Sequence, residues 1–296
     1  MHSIIPLDLN FLHREKAIAA YLIPNGDKAV LVESGPMSTI QELILQIGNH
    51  GYKPEDISQV LITHIHLDHA GAAGWFANLG AQIFVHPIGE THLKNPGKLL
   101  SSAKRIYGDK MDYLWGQTIP VPEDKVFSIS DFEQVKIGDL AFTAIYTPGH
   151  AEHHISWLFE DTCFTGDVGG VRMPGFEYIR LPLVPPELNI EKWKQSLIRL
   201  GKIGFKYIAP THFGIFNDAD AHLLIARQML AANEKWMNDT INDNTKIETL
   251  RESYVNFIND LGKRSGVEEE ALRIYEIANP TWMGADGLFR YWTKIH

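Results

Sequence analysis

The chain has 296 residues, 45% of them hydrophobic and 21% charged, a balance typical of a globular protein with enough apolar surface for a core of its own. A formal net charge of -9 weighs against a protein whose main task is neutralising nucleic-acid phosphates, and no stretch approaches the roughly 18 uninterrupted apolar residues of a membrane span. The first 16 residues show no basic cluster followed by an apolar run, and the single cysteine, Cys163, excludes an internal disulfide, so the expectation is a cytoplasmic protein with Cys163 as a small buried thiol.

Two short apolar runs, 17–23 and 29–33, read as strands, and Gly35-Pro36 then breaks the pattern before a helical stretch at 39–47. After a turn at 51–54, residues 58–63 read as a buried strand, followed by a helix at 70–79, a strand at 82–85 and a helix at 98–113. From residue 126 the texture changes to strands, at 126–129, 134–137, 140–147, 155–159 and 162–165, with Gly138-Asp139 as a hairpin turn. A helix at 190–200 and a strand at 206–209 complete a second mixed unit, and beyond Phe216 the periodicity is helical, at 219–238, 246–261 and 268–278. Strands and helices in two similar halves suggest two sheets face to face with helices outside, a four-layer αββα arrangement of α/β class. The expected domains are residues 1–216 and a helical C-terminal region, 217–296.

Chemistry concentrates in Thr63-His64-Ile65-His66-Leu67-Asp68-His69, where four metal-donor side chains fall within six positions directly after a strand. In extended backbone His64 and His66 point the same way, because strand side chains repeat every two residues, and Asp68 and His69 can then turn toward a second ion. Burying such a cluster without a cation would be costly, so a chance grouping of surface residues is the weaker explanation. Four donors cannot complete two coordination shells. Three more stand at strand ends, where α/β sheets build sites: His150 after Pro148-Gly149, Asp167 after Thr165-Gly166, and His212 after Pro210-Thr211. Each alone is as good a surface turn residue as a ligand; their shared placement carries the set.

Over roughly residues 17–214 these segments resemble the metallo-β-lactamase superfamily, and most of all its glyoxalase II (hydroxyacylglutathione hydrolase) branch. The resemblance implies the four-layer fold and two divalent metal ions, one held by His64, His66 and His150, the other by Asp68, His69 and His212, with Asp167 bridging. Zinc suits these donors, and iron or manganese suit them too. Relatives turned toward oxygen or nitric oxide reduction carry glutamate at the position of His66, so hydrolysis is implied, by a hydroxide shared between the metals that attacks an ester, thioester or lactone carbonyl. Asp68 would be the catalytic residue, binding metal while orienting the hydroxide or receiving its proton. His154 and His86 are expected to support the site without binding metal, and His2, His13, His50, His92, His222 and His296 to be ordinary surface or packing residues.

The run Gly166-Asp167-Val168-Gly169-Gly170-Val171-Arg172 departs from the usual glyoxalase II continuation, and the basic residues after position 217 are scattered among acids rather than gathered in a glutathione clamp. A dedicated glutathione-thioester hydrolase is therefore not expected. Tyr178, Arg172 and Tyr107 are candidates for substrate contact, as is Arg180, with pairing to local acids an equal alternative for the arginines. The competing readings are a phosphodiesterase and a non-catalytic metal-binding sensor; the expected partner is a small-molecule substrate rather than nucleic acid or membrane, with a homodimer left open.

Overall fold

The computed structural model describes residues 2–296, which divide into two compact units. The first runs from the N-terminus through Tyr146 and adds Ile155–Glu160; the second comprises Thr147–His154 and Asp161–His296.

The first unit opens with β1 (Ile5–Asp8), β2 (Ala19–Asn25) and β3 (Lys28–Val32), followed by α1 (Ile40–Asn49) and β4 (Ile57–Leu61). Then come α2 (Leu67–Ala70), α3 (Ala73–Asn78), β5 (Gln82–Val85), α4 (Pro87–Lys94), α5 (Gly97–Tyr107), α6 (Met111–Trp115) and β6 (Val126–Ser128). Strands β1 to β6 form one sheet in sequence order, antiparallel as far as β3 and parallel from β3 to β6. Parallel neighbours need a crossover, which the intervening helices supply, and strands covered on both faces read as continuous apolar runs. Ala29–Val32 of β3 is such a run, with no exposure at any of its four residues.

An antiparallel meander, β7 (Gln134–Ile137), β8 (Leu140–Tyr146) and β9 (Ile155–Phe159), completes the unit. Ile137 pairs with Leu140, so Gly138-Asp139 is the two-residue hairpin loop, with Gly138 at φ +58° as such loops require. Strand β9 also fixes the segment after β4: the Ile155 amide donates to the Thr63 carbonyl at 2.7 Å and the Trp157 indole to the Ile62 carbonyl at 3.1 Å. The chain just ahead of His64 is thereby held by β9 at two successive residues.

The second unit contains β10 (Thr162–Phe164) and β11 (Tyr207–Ala209), a parallel pair joined through α7 (Ile190–Ile203). Asn189 starts α7 by accepting the Lys192 amide at 3.0 Å, and Ile190, Trp193, Leu197 and Leu200 form its buried stripe at helical spacing. The C-terminal helical region is α8 (Ala219–Thr240), α9 (Ile247–Arg264), α10 (Glu269–Ala278) and α11 (Thr281–Ile295). It shares a core with the segment after Asp167: Val171, Met173 and Tyr178 pack with Val267, Leu272 and Tyr275. Among the described residues no helix is long and apolar enough to cross a membrane.

Several elements depart from the sequence expectation. The helix expected at 70–79 begins earlier and is broken, as α2 and α3, so Asp68 and His69 already lie on helical backbone. Gly71 lies at the break, so close to its surroundings that a Cβ would meet the Leu67 carbonyl oxygen at 2.4 Å. The stretch 98–113 divides into α5 and α6 at Gly108, whose φ of +55° ends the first helix. β1, α4 and α11 carry weak local signals, since β1 spans four residues and includes a proline, α4 opens on His86-Pro87, and α11 contains Gly284 and Gly287.

Those helical glycines generate a test. A Cβ on Gly287 would lie 1.9 Å from the Leu183 carbonyl oxygen, whereas one on Gly201, on the exposed side of α7, would meet nothing within 4 Å. Gly287→Ala is expected to destabilise by about 1–3 kcal/mol or more through overpacking, and Gly201→Ala to stabilise by about 0.5–1 kcal/mol through a better helix propensity, both read by urea denaturation.

Candidate metal centre

In the first unit the chain leaves β4 in non-helical backbone and enters α2 at Leu67, which turns His64, His66, Asp68 and His69 out of one short segment. His64 Nε2 and His66 Nδ1 lie 2.9 Å apart, and His69 Nε2 lies 3.6 Å from Asp68 Oδ2. The remaining ring nitrogens fix the tautomers. His69 Nδ1 is 2.9 Å from Glu33 Oε1, and a carboxylate accepts only, so the proton sits on Nδ1 and the lone pair on Nε2. His64 Nδ1 lies 3.0 Å from the Thr63 hydroxyl, which donates to Glu33 Oε1 at 2.5 Å; the histidine therefore donates to the hydroxyl and again presents Nε2.

Glu33 is thus the organising group of this half of the site, and the sequence reading took it only as the end of a strand. It is 1% exposed and also accepts the Thr63 amide at 3.2 Å. Its φ of +66° is a conformation that L side chains enter at a cost, which persists where the surroundings impose it. An acid directly after four buried apolar residues was the available signal, because a buried carboxylate must have donors.

In the second unit, His150 follows a Pro-Gly turn in which a Cβ on Gly149 would come within 2.4 Å of Trp193 Cα, so only glycine fits. His150 Nδ1 donates to the Pro182 carbonyl at 2.7 Å, which leaves Nε2 as the donor atom, 3.2 Å from Asp167 Oδ2. The other oxygen of the same carboxylate, Oδ1, lies 3.3 Å from His212 Nε2. Asp167 sits in the tight turn Gly166–Gly169 directly after β10, and His212 follows β11, so the parallel pair delivers both from adjacent strand ends.

Histidine and aspartate side chains among these are able to hold a metal ion. Two ligands at the ~2.0–2.2 Å of zinc–nitrogen or zinc–oxygen bonds and a tetrahedral angle lie about 3.3–3.5 Å apart. The four donor separations, 2.9, 3.2, 3.3 and 3.6 Å, bracket that value. The donor set fits divalent cations.

His154 packs behind the Pro-Gly-His turn with Nδ1 2.9 Å from the Thr147 hydroxyl, while its carbonyl accepts the Thr147 amide at 3.0 Å and closes the loop. His86 caps α4, its Nδ1 accepting the Ile88 amide at 3.1 Å, and lies against Tyr146. Tyr107, on α5, meets Trp115 edge-on.

Three of the candidates for substrate contact have partners within the second unit. Tyr178 is 1% exposed in the core of the second unit, where its hydroxyl donates to the Ile258 carbonyl and burial raises its pKa. Arg172 forms a two-pronged pair with Asp218 at 2.7 and 2.8 Å, and Arg180 pairs with Glu276 at 2.9 Å; for the arginines the local-acid alternative is the one observed. Both arginines are almost fully buried. Cys163 is buried as expected, and burial raises its thiol pKa, which makes it a poor nucleophile.

His222 is more than an ordinary packing residue. It has no exposure, its Nε2 donates to the Gly169 carbonyl at 2.7 Å, and burial lowers its pKa to about 4.

Histidine and aspartate side chains at strand ends, able to hold a metal ion, mark a candidate metal site on an α/β fold. The model of the metallo-beta-lactamase superfamily matches residues 14–212, and the chain belongs to that superfamily. It is 27% identical over 228 residues to the metallo-beta-lactamase fold-containing protein ST1585 of Sulfurisphaera tokodaii, a match covering 75% of this chain and 82% of that one. The crystal structure of ST1585 superposes with a TM-score of 0.67 at 20% identity over 97% of this chain and 98% of the other, which shows the shared fold. The N-acyl homoserine lactonase AttM of Agrobacterium fabrum is 32% identical over 159 residues, 53% of this chain and 52% of that protein. The atrochrysone carboxyl ACP thioesterase of Aspergillus fumigatus is 26% identical over 203 residues, 67% of this chain and 51% of that protein.

Two outcomes follow from these geometries. Glu33→Gln exchanges one of the two carboxylate oxygens for a donor, so the Thr63 amide, the Thr63 hydroxyl and His69 can no longer all keep their acceptor, and is expected to weaken metal binding roughly 10–100-fold in competition with a chelator; wild-type affinity would exclude the orienting role. The unfolded form of His222 takes up a proton below about 6.5, while the folded form refuses it until about 4. Its stability contribution is therefore complete above pH 6.5 and is lost as pH falls toward 4, on the order of 3 kcal/mol in all. Urea midpoints of the metal-free protein at pH 7 and 4.5 should show a shallower pH dependence in His222→Gln than in wild type.

Proposed function

We propose that the chain is a binuclear metal-dependent hydrolase acting on the acyl carbon of an ester, thioester or lactone. The observation that carries this reading is Asp167, whose two carboxylate oxygens each lie beside a different histidine Nε2, of His150 at 3.2 Å and of His212 at 3.3 Å. A carboxylate divided between two nitrogen donors is suited to bridging two ions. In this reading His64, His66 and His150 hold one ion, Asp68, His69 and His212 the other, and Asp167 both. Zinc matches the nitrogen and carboxylate donors, with iron and manganese as the alternatives that metal analysis separates. Two divalent cations so held would supply the lowering of a water's pKa to near neutrality and the polarisation of an acyl oxygen.

The protein's own groups do the remaining work. Glu33 and the Pro182 carbonyl keep the protons of His69 and His150 on Nδ1, so the Nε2 atoms stay neutral donors. The Asp68 side chain is 19% exposed, so its carboxylate can reach solvent, orient a water for attack and receive its proton. No serine or cysteine nucleophile is required.

An acyl substrate is supported by relatives named as a lactonase and a thioesterase. The glyoxalase II-like core extends to catalysis rather than to glutathione specificity. Among the basic residues of the helical region, Lys235, Arg264 and Arg273 pair with acids on their own helices and Arg251 pairs with Asp286, so they do not form a free cationic clamp. Chromogenic esters, thioesters, lactones and phosphodiesters, assayed with metal-defined protein, test the substrate class; turnover of phosphodiesters alone would replace this reading with the phosphodiesterase one.

Elemental analysis after metal reconstitution is expected to give two ions per chain, and a value that stays near one would defeat the two-metal centre. Asp68→Asn is expected to lower turnover at least about a hundredfold with folding retained, since the amide neither balances metal charge nor takes a proton. Near-normal turnover with both ions bound would remove Asp68 from the mechanism.

A further inference from the structure

Arg172 and His222, both buried, form with the partly exposed Asp218 a polar cluster that touches two of the donor-bearing segments of the second unit, those of Asp167 and His212. Asp218 stands at the start of α8 and His222 lies one turn inside it. Arg172 engages four of its five side-chain N–H donors: Nε on the Phe176 carbonyl at 2.9 Å, Nη1 and Nη2 on the two oxygens of Asp218, and Nη1 also on His222 Nδ1 at 3.3 Å. Its guanidinium lies 4.3 Å from the centre of the Phe216 ring. The partners of His222 settle its tautomer. A carbonyl only accepts, so Nε2 carries the proton toward Gly169, and Nδ1 offers its lone pair to the arginine.

The outward connections lead to two metal donors. The Arg172 amide donates to the His212 carbonyl at 2.6 Å and the Phe213 amide returns to the Arg172 carbonyl at 3.3 Å, so the backbone at His212 is fastened to Arg172 on both sides. Gly169 closes the turn that carries Asp167, and the Gly170 amide donates back to the Asp167 carbonyl at 2.9 Å. The turn has no slack: a Cβ on Gly169 would meet the Thr165 hydroxyl at 2.1 Å. Holding the Gly169 carbonyl from α8 therefore holds Asp167.

We propose that Arg172, Asp218 and His222 are positioning residues that clamp the Asp167 turn and the His212 loop to the first turn of α8, and so set the metal affinity of that half of the centre. The proposal rests on the reading of Asp167 and His212 as metal donors. It gives the C-terminal helical region a task at the site that involves no contact with substrate. Arg172 serves it twice, by its backbone on His212 and by its side chain on α8. His222 suits the role because it donates from one nitrogen and accepts at the other while neutral; a charged form would lose the acceptor that faces Arg172.

The test is cobalt titration of the full-length apoprotein, followed by visible absorption, together with zinc affinity measured against a competing chelator. Wild type, His222→Leu, His222→Gln, Arg172→Lys and Asp167→Asn are compared, with circular dichroism and urea midpoints as controls for folding. His222→Leu removes both hydrogen bonds and Arg172→Lys keeps the charge but loses the fork to Asp218; each is expected to weaken at least one ion roughly tenfold or more and to alter the cobalt spectrum. His222→Gln keeps an N–H for the Gly169 carbonyl and is expected to stay within about threefold of wild type. A merely structural role would lower the urea midpoints and leave affinity and spectrum alone, and that result overturns the clamp, as does a glutamine variant as weak as the leucine one. Should His222→Leu not fold, Arg172→Lys and His222→Gln decide by the same comparison. Failure of the wild type to bind metal, or unchanged affinity in Asp167→Asn, would instead bring down the underlying metal-donor reading.

Discussion

A histidine can serve as a metal ligand only if one ring nitrogen is unprotonated and aimed, and in this protein the other nitrogen decides that. Glu33 accepts from His69 directly and from His64 through the Thr63 hydroxyl, and the Pro182 carbonyl accepts from His150. Each contact fixes a tautomer and a ring orientation in the same step. The cost is a carboxylate with 1% exposure on a residue at positive φ, which is tolerable only because the Thr63 amide, the Thr63 hydroxyl and His69 all donate to it. An apolar residue there would leave the Thr63 amide, the Thr63 hydroxyl and His69 without that acceptor.

The same economy governs the second unit with other groups. Asp167 is gripped through its backbone turn, so its carboxylate faces His150 and His212 with both oxygens. The arginines that follow it, Arg172 and Arg180, face acids from the helical region, Asp218 and Glu276. Burying guanidinium groups is permissible only with such partners, and the hydrogen bonds from Arg172 lower the pKa of Asp218 from its ordinary value. Charges that in sequence look like substrate-binding groups are, in the folded unit, fasteners between the loop after Asp167 and the helices.

The superfamily and its fold were legible in the sequence, because both rest on local patterns. Four donors within six residues after a strand, a Pro-Gly-His turn, a Thr-Gly-Asp turn and strand-length apolar runs are short-range features, and each survives without knowledge of the partner it meets. The helical texture after Phe216 was legible for the same reason, although the breaks at Gly71 and Gly108 and the glycine-bearing α11 were not, since backbone approach and tertiary packing override propensity there.

What the sequence determined by itself is therefore which residue types stand at which strand ends, and from them the family. Which buried acid orients the histidines, which arginines are already paired and which tyrosine lies in a core were decided only by tertiary structure. The reason is separation along the chain: Glu33 and His69 are 36 residues apart, Arg172 and Asp218 are 46 apart, and Tyr178 and Ile258 are 80 apart. The freedom of a polar side chain depends on the neighbour that folding delivers to it, and no local pattern records that neighbour.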